Sequence, residues 1–339
     1  MTIKTRRKLF WLSVLIFLII APPIALYSSG WRLTYDFKIK MTGGLFVAVP
    51  ESGASVYLNG KFIKSTNFLQ SGVFVQNLTP GPYSVMISKD GHWPWTKNLA
   101  VAESEVAEAR AFMLPQNING TVLLKGQFES VYSSDKNPIL LLEEKRGDIY
   151  TLTFYLPESN EFLAPANSAS KKLLSSGAKL KTVSWRDNGA DIFFGSKSVG
   201  VSIDLAKRSV SAKNSTLKLD ETTEYLPHQI SSDWRQKAQI RYDEKNIRIN
   251  WLSLPLPYFL SSAEETVYQS KYSIRHASFF PKRSDVALVA VENGVFAFDL
   301  DGRSVKNFQP IYKGKSPVFA VLNNKIYVLD QEVLARMDL

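Results

Sequence analysis

The hydrophobic pattern changes character along the chain. From Leu9 to Trp31, 23 residues pass without a charged side chain, and most are Leu, Ile, Val or Phe (FWLSVLIFLII). A helix of that length rises about 35 Å, enough to cross a hydrocarbon layer of roughly 30 Å. Beyond Leu45 the pattern becomes short apolar runs separated by Gly, Pro, Asn and Asp, which predicts strands and tight turns. No later stretch keeps a helical period. The predicted fold class is therefore all-β behind one N-terminal transmembrane helix.

Charge around the apolar run predicts its orientation. Lys4, Arg6, Arg7 and Lys8 precede it, and the next charge is Arg32. A basic cluster on one side places the N terminus in the cytoplasm and the bulk of the chain outside, as in a single-pass cell-membrane protein. Pro22 and Pro23 predict a kink or an end to the helix near the outer leaflet, and Tyr27 and Trp31 fit an interfacial aromatic belt. A cleaved signal peptide is the alternative, with an apolar stretch of about 7–15 residues ending in small side chains. Bulky Tyr27 stands in the candidate exit Ala25-Leu26-Tyr27-Ser28, and Ser29-Gly30 is a second one. The expectation is an uncleaved anchor. The expected organisation is a basic tail over 1–8, the anchor over 9–31, a linker over 32–44, a small β module over 45–115 and a larger β region over 116–339.

The small module can be read strand by strand. Leu45-Phe46-Val47-Ala48-Val49 ends at Pro50, and Ala54-Ser55-Val56-Tyr57-Leu58 runs into Asn59-Gly60. An Asn-Gly pair between apolar runs predicts a type I′ hairpin, because both central residues need positive φ. Lys61-Phe62-Ile63 returns from it. Phe74 to Leu78 stops at Thr79-Pro80-Gly81-Pro82, where Pro presets φ and Gly permits reversal. Alternation in Tyr83-Ser84-Val85-Met86-Ile87 puts Tyr83, Val85 and Ile87 on one face. After a turn at Asp90-Gly91, Trp95 to Val101 reads as the final strand. These elements predict a small antiparallel β-sandwich.

Three stretches carry a family resemblance: Gly53-Ala54-Ser55-Val56-Tyr57-Leu58-Asn59-Gly60-Lys61, Asn77-Leu78-Thr79-Pro80-Gly81-Pro82-Tyr83-Ser84-Val85 and Lys89-Asp90-Gly91-His92-Trp93-Pro94-Trp95. Their order and spacing resemble the PEGA domain, with its N-G hairpin, its L-P-G-x-Y-x-V strand start and its k-x-G-Y turn. The sequence departs from that pattern at Pro82 and at His92, which stands where the family has Tyr. The resemblance implies a β-sandwich module of bacterial and archaeal surface proteins, often beside a membrane anchor. It implies no catalytic residue.

Residues 116–339 carry a loose repeat. One unit begins Val183-Ser184-Trp185-Arg186-Asp187-Asn188-Gly189, another has Ser231-Ser232-Asp233-Trp234, and a third reads Ser278-Phe279-Phe280-Pro281 followed by Gly294-Val295-Phe296-Ala297-Phe298-Asp299. A shorter unit combines Val318-Phe319-Ala320-Val321 with Lys325-Ile326-Tyr327-Val328-Leu329, and Val131-Tyr132 could begin a first one. Trp185 to Trp234 is 49 residues and Trp234 to Phe280 is 46, near the length of one four-stranded propeller blade. The pattern resembles Tol-B-type and WD40-like β-propellers and predicts about four to five blades. A β-sandwich or stacked irregular sheets is the rival.

Composition then narrows the chemistry. The chain of 339 residues is 45% hydrophobic and contains no Cys, which excludes disulfide scaffolds, thiolate zinc sites and Cys nucleophiles. His92, His228 and His276 follow no metal-ligand spacing and read as surface or hydrogen-bonded residues. The net charge of +10 suggests nucleic acid, but four of the basic residues form the tail. The rest is diffuse, with isolated pairs such as Lys171-Lys172 and Lys282-Arg283, so no nucleic-acid partner is expected. G-x-S-x-G, G-x-x-x-x-G-K-[ST], G-x-G-x-x-G and H-E-x-x-H motifs do not occur. Gly314-Lys315-Ser316 has Gln309 where a phosphate loop needs Gly, and Asp299-Leu300-Asp301-Gly302 has Pro310 where a calcium loop needs Glu. Both read as turns, and no cofactor or metal is expected.

One stretch looks made for contact. His92-Trp93-Pro94-Trp95 places two Trp around a Pro at a turn, a surface that stacks on sugars or anchors partners. The alternative is that both Trp wedge between the module and its neighbour. The sequence therefore supports a non-catalytic, membrane-anchored cell-envelope protein whose extracytoplasmic β domains bind or organise envelope proteins or polysaccharide. The alternative is a glycosidase-like envelope hydrolase with two carboxylates about 5–9.5 Å apart in a propeller cleft.

Overall fold

The computed structural model describes residues 3–33, 39–67, 71–195, 197–220 and 222–339. Part of the expected linker (34–38) and the side chain of Lys4 lie outside the described residues. The chain forms two compact units. The first comprises Met1–Asp90, Pro94–Met113 and Arg303–Val305; the second comprises Gly91–Trp93, Leu114–Gly302 and Lys306–Leu339.

The first unit opens with a helix over Ile3–Ser28. It includes the basic cluster and passes through Pro22 and Pro23, so the prolines do not end it. Within its Thr5–Ser28 stretch an 18-residue window reaches a mean hydropathy of 2.5 and is solvent-exposed, as a membrane-spanning length would be before lipid covers it. The helix stops three residues short of the expected boundary. The Ser28 and Ser29 hydroxyls both donate to the Ala25 carbonyl, and Gly30 turns out of the helix at φ +88°. Trp31 therefore starts a short strand, Trp31–Leu33, paired with Ile39–Met41. The Arg32 guanidinium lies 3.7 Å over the Tyr27 ring.

Among the described residues a seven-stranded sandwich follows. One sheet has the order Gly72–Leu78, Gly43–Ala48, Val106–Arg110; the other has the order Lys61–Ser65, Ser55–Leu58, Gly81–Ser88, Trp95–Val101. Asn59 (φ +49°) and Gly60 (φ +75°) form the tight hairpin that their chemistry predicts. Leu45, Val47, Val56, Val85, Ile87 and Leu99 are buried in the core. The expectation of a wholly antiparallel sandwich needs correction, because Gly43–Ala48 runs parallel to Val106–Arg110. After Val101 the chain turns beside the start of Gly43–Ala48, where Ser104 N donates to Thr42 O and Gly44 N to Glu105 O. It therefore re-enters the sandwich in the same direction as that strand.

The second unit contains, among the described residues, five four-stranded antiparallel blades. Blade 1 is Phe128–Ser133, Leu140–Arg146, Ile149–Leu156 and Glu161–Pro165, and blade 2 is Thr182–Arg186, Gly189–Phe194, Lys197–Asp204 and Ser209–Ser215. Blade 3 is Ile230–Ser232, Ala238–Tyr242, Asn246–Trp251 and Glu264–Gln269, and blade 4 is His276–Phe279, Val286–Val291, Gly294–Asp299 and Phe308–Lys313. Blade 5 is Val318–Leu322, Lys325–Asp330 and Val333–Asp338, and its fourth strand is Asn119–Lys125, the first strand of the unit. That pairing closes the ring. Blades 1 and 2 also touch at their outer edges, where Ala164 and Pro165 pair in parallel with Ser209 and Val210.

Blade stacking explains the unbroken apolar runs. Leu141 joins a core shared with Val183, Ile192 and Val201 of blade 2, whereas Leu140 and Leu142 join one with Tyr327 and Leu329 of blade 5. Ile240, Ile249, Val289 and Phe298 tie blades 3 and 4 together. A strand covered on both faces loses the alternation of a half-exposed one.

Candidate functional site

The first strands of blades 3, 4, 5 and 1 adjoin one another in turn, that of blade 2 meets the turn that leads into blade 3, and side chains from all five blades form an aromatic and imidazole cluster. Blade 1 supplies Tyr132 and blade 2 Thr182. Blade 3 supplies His228, from the short 3₁₀ turn Pro227–Gln229 leading into its first strand, and Tyr242, from the end of its second. Blade 4 supplies His276 and blade 5 Phe319. His228 Nδ1 is 2.9 Å from Thr182 Oγ1, and His276 Nδ1 is 2.9 Å from the Tyr242 hydroxyl. Tyr132 meets the His228 ring edge-on at 5.9 Å; Tyr242 and Phe319 meet the His276 ring at 5.5 and 4.6 Å.

Burial keeps this cluster uncharged. Desolvation lowers His228 to about 4, and desolvation together with the nearby His228 lowers His276 to about 3. Tyr132 is pushed up to about 12 by burial and then by the Glu143 carboxylate, and Tyr242 is raised by burial and by Tyr132. Glu143 itself is 0% exposed, in the second strand of blade 1. It accepts from Leu180 N at 2.6 Å, and burial raises its pKa against the pull of that hydrogen bond. At neutral pH the imidazoles are thus weak bases, and the cluster offers neutral donors, acceptors and ring faces. Such a cluster suits hydrogen bonding and stacking more than proton abstraction.

Among the described residues no group of three or more His, Cys, Asp or Glu side chains is placed to hold a metal ion. The Asp299–Gly302 turn is bound by its own chain: Asp299 accepts from Asn307 N and Nδ2, and Lys306 Nζ donates to the Asp299 and Leu300 carbonyls. Gly314-Lys315-Ser316 connects blades 4 and 5, and Lys315 N donates to Asp330.

The structure does not bring His92, Trp93 and Trp95 onto one open face. Trp95 is only 1% exposed, because it starts a strand whose odd-numbered residues Trp95, Lys97, Leu99 and Val101 all point inward. It is core of the first unit and offers no ligand surface. His92 and Trp93 belong to the second unit, where Trp93 N donates to Leu114 O and Gln116 N donates to Gly91 O. Trp93 is half-buried and its indole N–H is enclosed without a partner. Arg6, Arg7 and Lys8 are exposed along the first turns of the helix.

Residues 42–114 match the family described as the PEGA domain. That stretch is a PEGA domain. It contains the sandwich just described, from the strand at Gly43 to the end of Val106–Arg110. No curated protein sequence matches the chain. Similar solved structures include a luciferin-regenerating enzyme, at 9% identity and a TM-score of 0.36 over 65% of this chain and 95% of that one. Hsv2 of Kluyveromyces lactis matches at 6% identity and a TM-score of 0.25, over 73% of this chain and 67% of that one. YCF48 from Cyanidioschyzon merolae matches at 10% and 0.28, over 75% and 76%. The propeller architecture beyond the PEGA domain rests on the strand pairing itself.

Proposed function

We propose that this protein is a non-catalytic, single-pass membrane protein of the cell envelope, whose PEGA domain carries an extracytoplasmic propeller that binds or organises envelope proteins or polysaccharide. The observation that carries the reading is the exposed apolar helix Thr5–Ser28, with Arg6, Arg7 and Lys8 on its N-terminal side, leading into a PEGA domain. Burying such a helix in lipid removes a long row of exposed apolar side chains, from Leu9 to Leu26, from water. The neutral aromatic and imidazole cluster suits hydrogen bonding and stacking more than acid–base chemistry, in keeping with a non-catalytic role.

Reporter fusions after Leu339 test the topology: an alkaline phosphatase fusion is expected to be active, and a fusion to a cytoplasm-only fluorophore dark. The reverse pattern would falsify the outward orientation. For the binding role, the full-length chain in detergent is mixed with purified envelope polysaccharide and, separately, with envelope protein fractions. Retention of neither speaks against it.

A further inference from the structure

Blade 3 carries an apolar protrusion that the axial cluster does not use. Its third and fourth strands are joined by residues 252–263 (Leu252-Ser253-Leu254-Pro255-Leu256-Pro257-Tyr258, then Phe259 to Ala263). The base is fixed: Phe259 and Leu260 are buried, Phe259 meets Trp251 edge-on at 6.1 Å, and Trp251 N donates to Ala263 O. The tip is bare, with Leu254 88% exposed and Leu252 and Tyr258 exposed beside it. The neighbouring turn, 233–237, adjoins it through Leu252 N donating to Lys237 O. That turn adds Trp234, 55% exposed, with the Arg235 guanidinium 4.3 Å over its ring, and the exposed Lys237.

This combination has a specific chemistry. Leucines at a tip held by prolines and a packed base reach apolar surroundings at little entropic cost. Trp and Tyr favour the zone between hydrocarbon and headgroups, and Arg and Lys at its margin meet phosphates. Strand direction also places it. Asn119, where the chain enters the ring, pairs with Asp338 at the end of the third strand of blade 5, and residues 252–263 follow Asn246–Trp251, the third strand of blade 3, which runs the same way along the ring axis. The protrusion therefore lies at the same end of the ring as Asn119.

We propose that the blade 3 protrusion is a membrane-docking element: Leu252, Leu254 and Tyr258 insert into the headgroup boundary of the bilayer that holds the helix, while Arg235 and Lys237 pair with lipid phosphates. The inference rests on the anchored reading above and adds a second, reversible contact with the same membrane.

The absence of Cys makes the test direct, because Leu254→Cys introduces a single thiol. The full chain is reconstituted in phosphatidylethanolamine–phosphatidylglycerol vesicles that contain a spin-labelled quencher lipid, and an environment-sensitive fluorophore is attached at 254. Ile149→Cys, also exposed but at the opposite end of the ring, is the control. Quenching at 254 is expected to exceed that at 149 by about two-fold or more, and to fall when Arg235 and Lys237 are both changed to Gln. Equal quenching at the two positions overturns the proposal. So does a blue-shifted signal at 254 without lipid quenching, the mark of a protein partner or a second copy. Flotation of the chain with the vesicles reports the anchor separately. A floating chain with an unquenched label sinks the docking element alone, and a chain that does not float sinks both readings.

Discussion

The His228 and His276 rings meet the Thr182 and Tyr242 hydroxyls, and their neutrality ties stability to pH. Their folded pKa values, about 4 and about 3, lie below the ordinary 6.5. Between those limits the unfolded chain binds more protons than the folded one, so stability falls as pH drops from 6.5. Above that pH both rings are neutral in either state and add no slope. At pH 4.5 the loss is expected to reach roughly 2 kcal/mol per histidine, read as a lower urea midpoint than at pH 7. His228→Gln combined with His276→Gln should flatten that part of the profile; an unchanged slope contradicts the assignment. Glu143 behaves oppositely, because a raised folded pKa favours the folded state at low pH and penalises it as pH rises. Glu143→Gln keeps an acceptor for Leu180 N and is expected to gain about 1 kcal/mol at pH 8. A loss there would show that the ionised carboxylate is stabilised. The sequence allowed hydrogen-bonded histidines but gave no sign of their partners. Thr182 and His228 are 46 residues apart and Tyr242 and His276 are 34 apart, and only the stacking of blades brings them together.

Elements whose signal is local were legible. Asn59-Gly60 set its hairpin because two adjacent residues tolerate positive φ, and the alternation through Val85 and Ile87 marked the buried face. Gly60→Val is expected to cost about 1–2 kcal/mol, seen as a lower melting temperature with the fold retained. An unchanged melting temperature would mean that another turn geometry serves equally well. Val106–Arg110 escaped sequence reading because it is a sheet edge, with Glu108 and Arg110 outward and little apolar pattern to detect. Trp95 was misjudged for a related reason: a Trp beside a turn looks available until the strand that starts there fixes its side. Trp95→Ala should cost about 3–5 kcal/mol by leaving a void in the PEGA core. A cost below about 1 kcal/mol would mean that the site collapses around the change.

At the scale of the molecule, apolar runs indicated many strands, and the spacing of Trp185, Trp234 and Phe280 indicated the blade length. Ring closure left no such trace, because Asn119–Lys125 looks like any other strand until Val333–Asp338 pairs with it. Truncation after Glu332 removes that partner. It is expected to replace a single cooperative melt by a broad one and to raise protease sensitivity in blades 1 and 5; a truncated chain with wild-type melting would show that closure is dispensable. Closure also imposes a schedule. Thr121 and Asp338, joined by a side-chain hydrogen bond, are 217 residues apart in sequence. The strand that finishes the ring is thus made before every other strand of it, and must wait unpaired until its partner is synthesised. During that interval both sheet edges at the gap are open to other chains. On the proposed outward topology the gap would close only on the far side of the membrane, which would make the speed of translocation, and any chaperone waiting there, part of how this propeller reaches its native state.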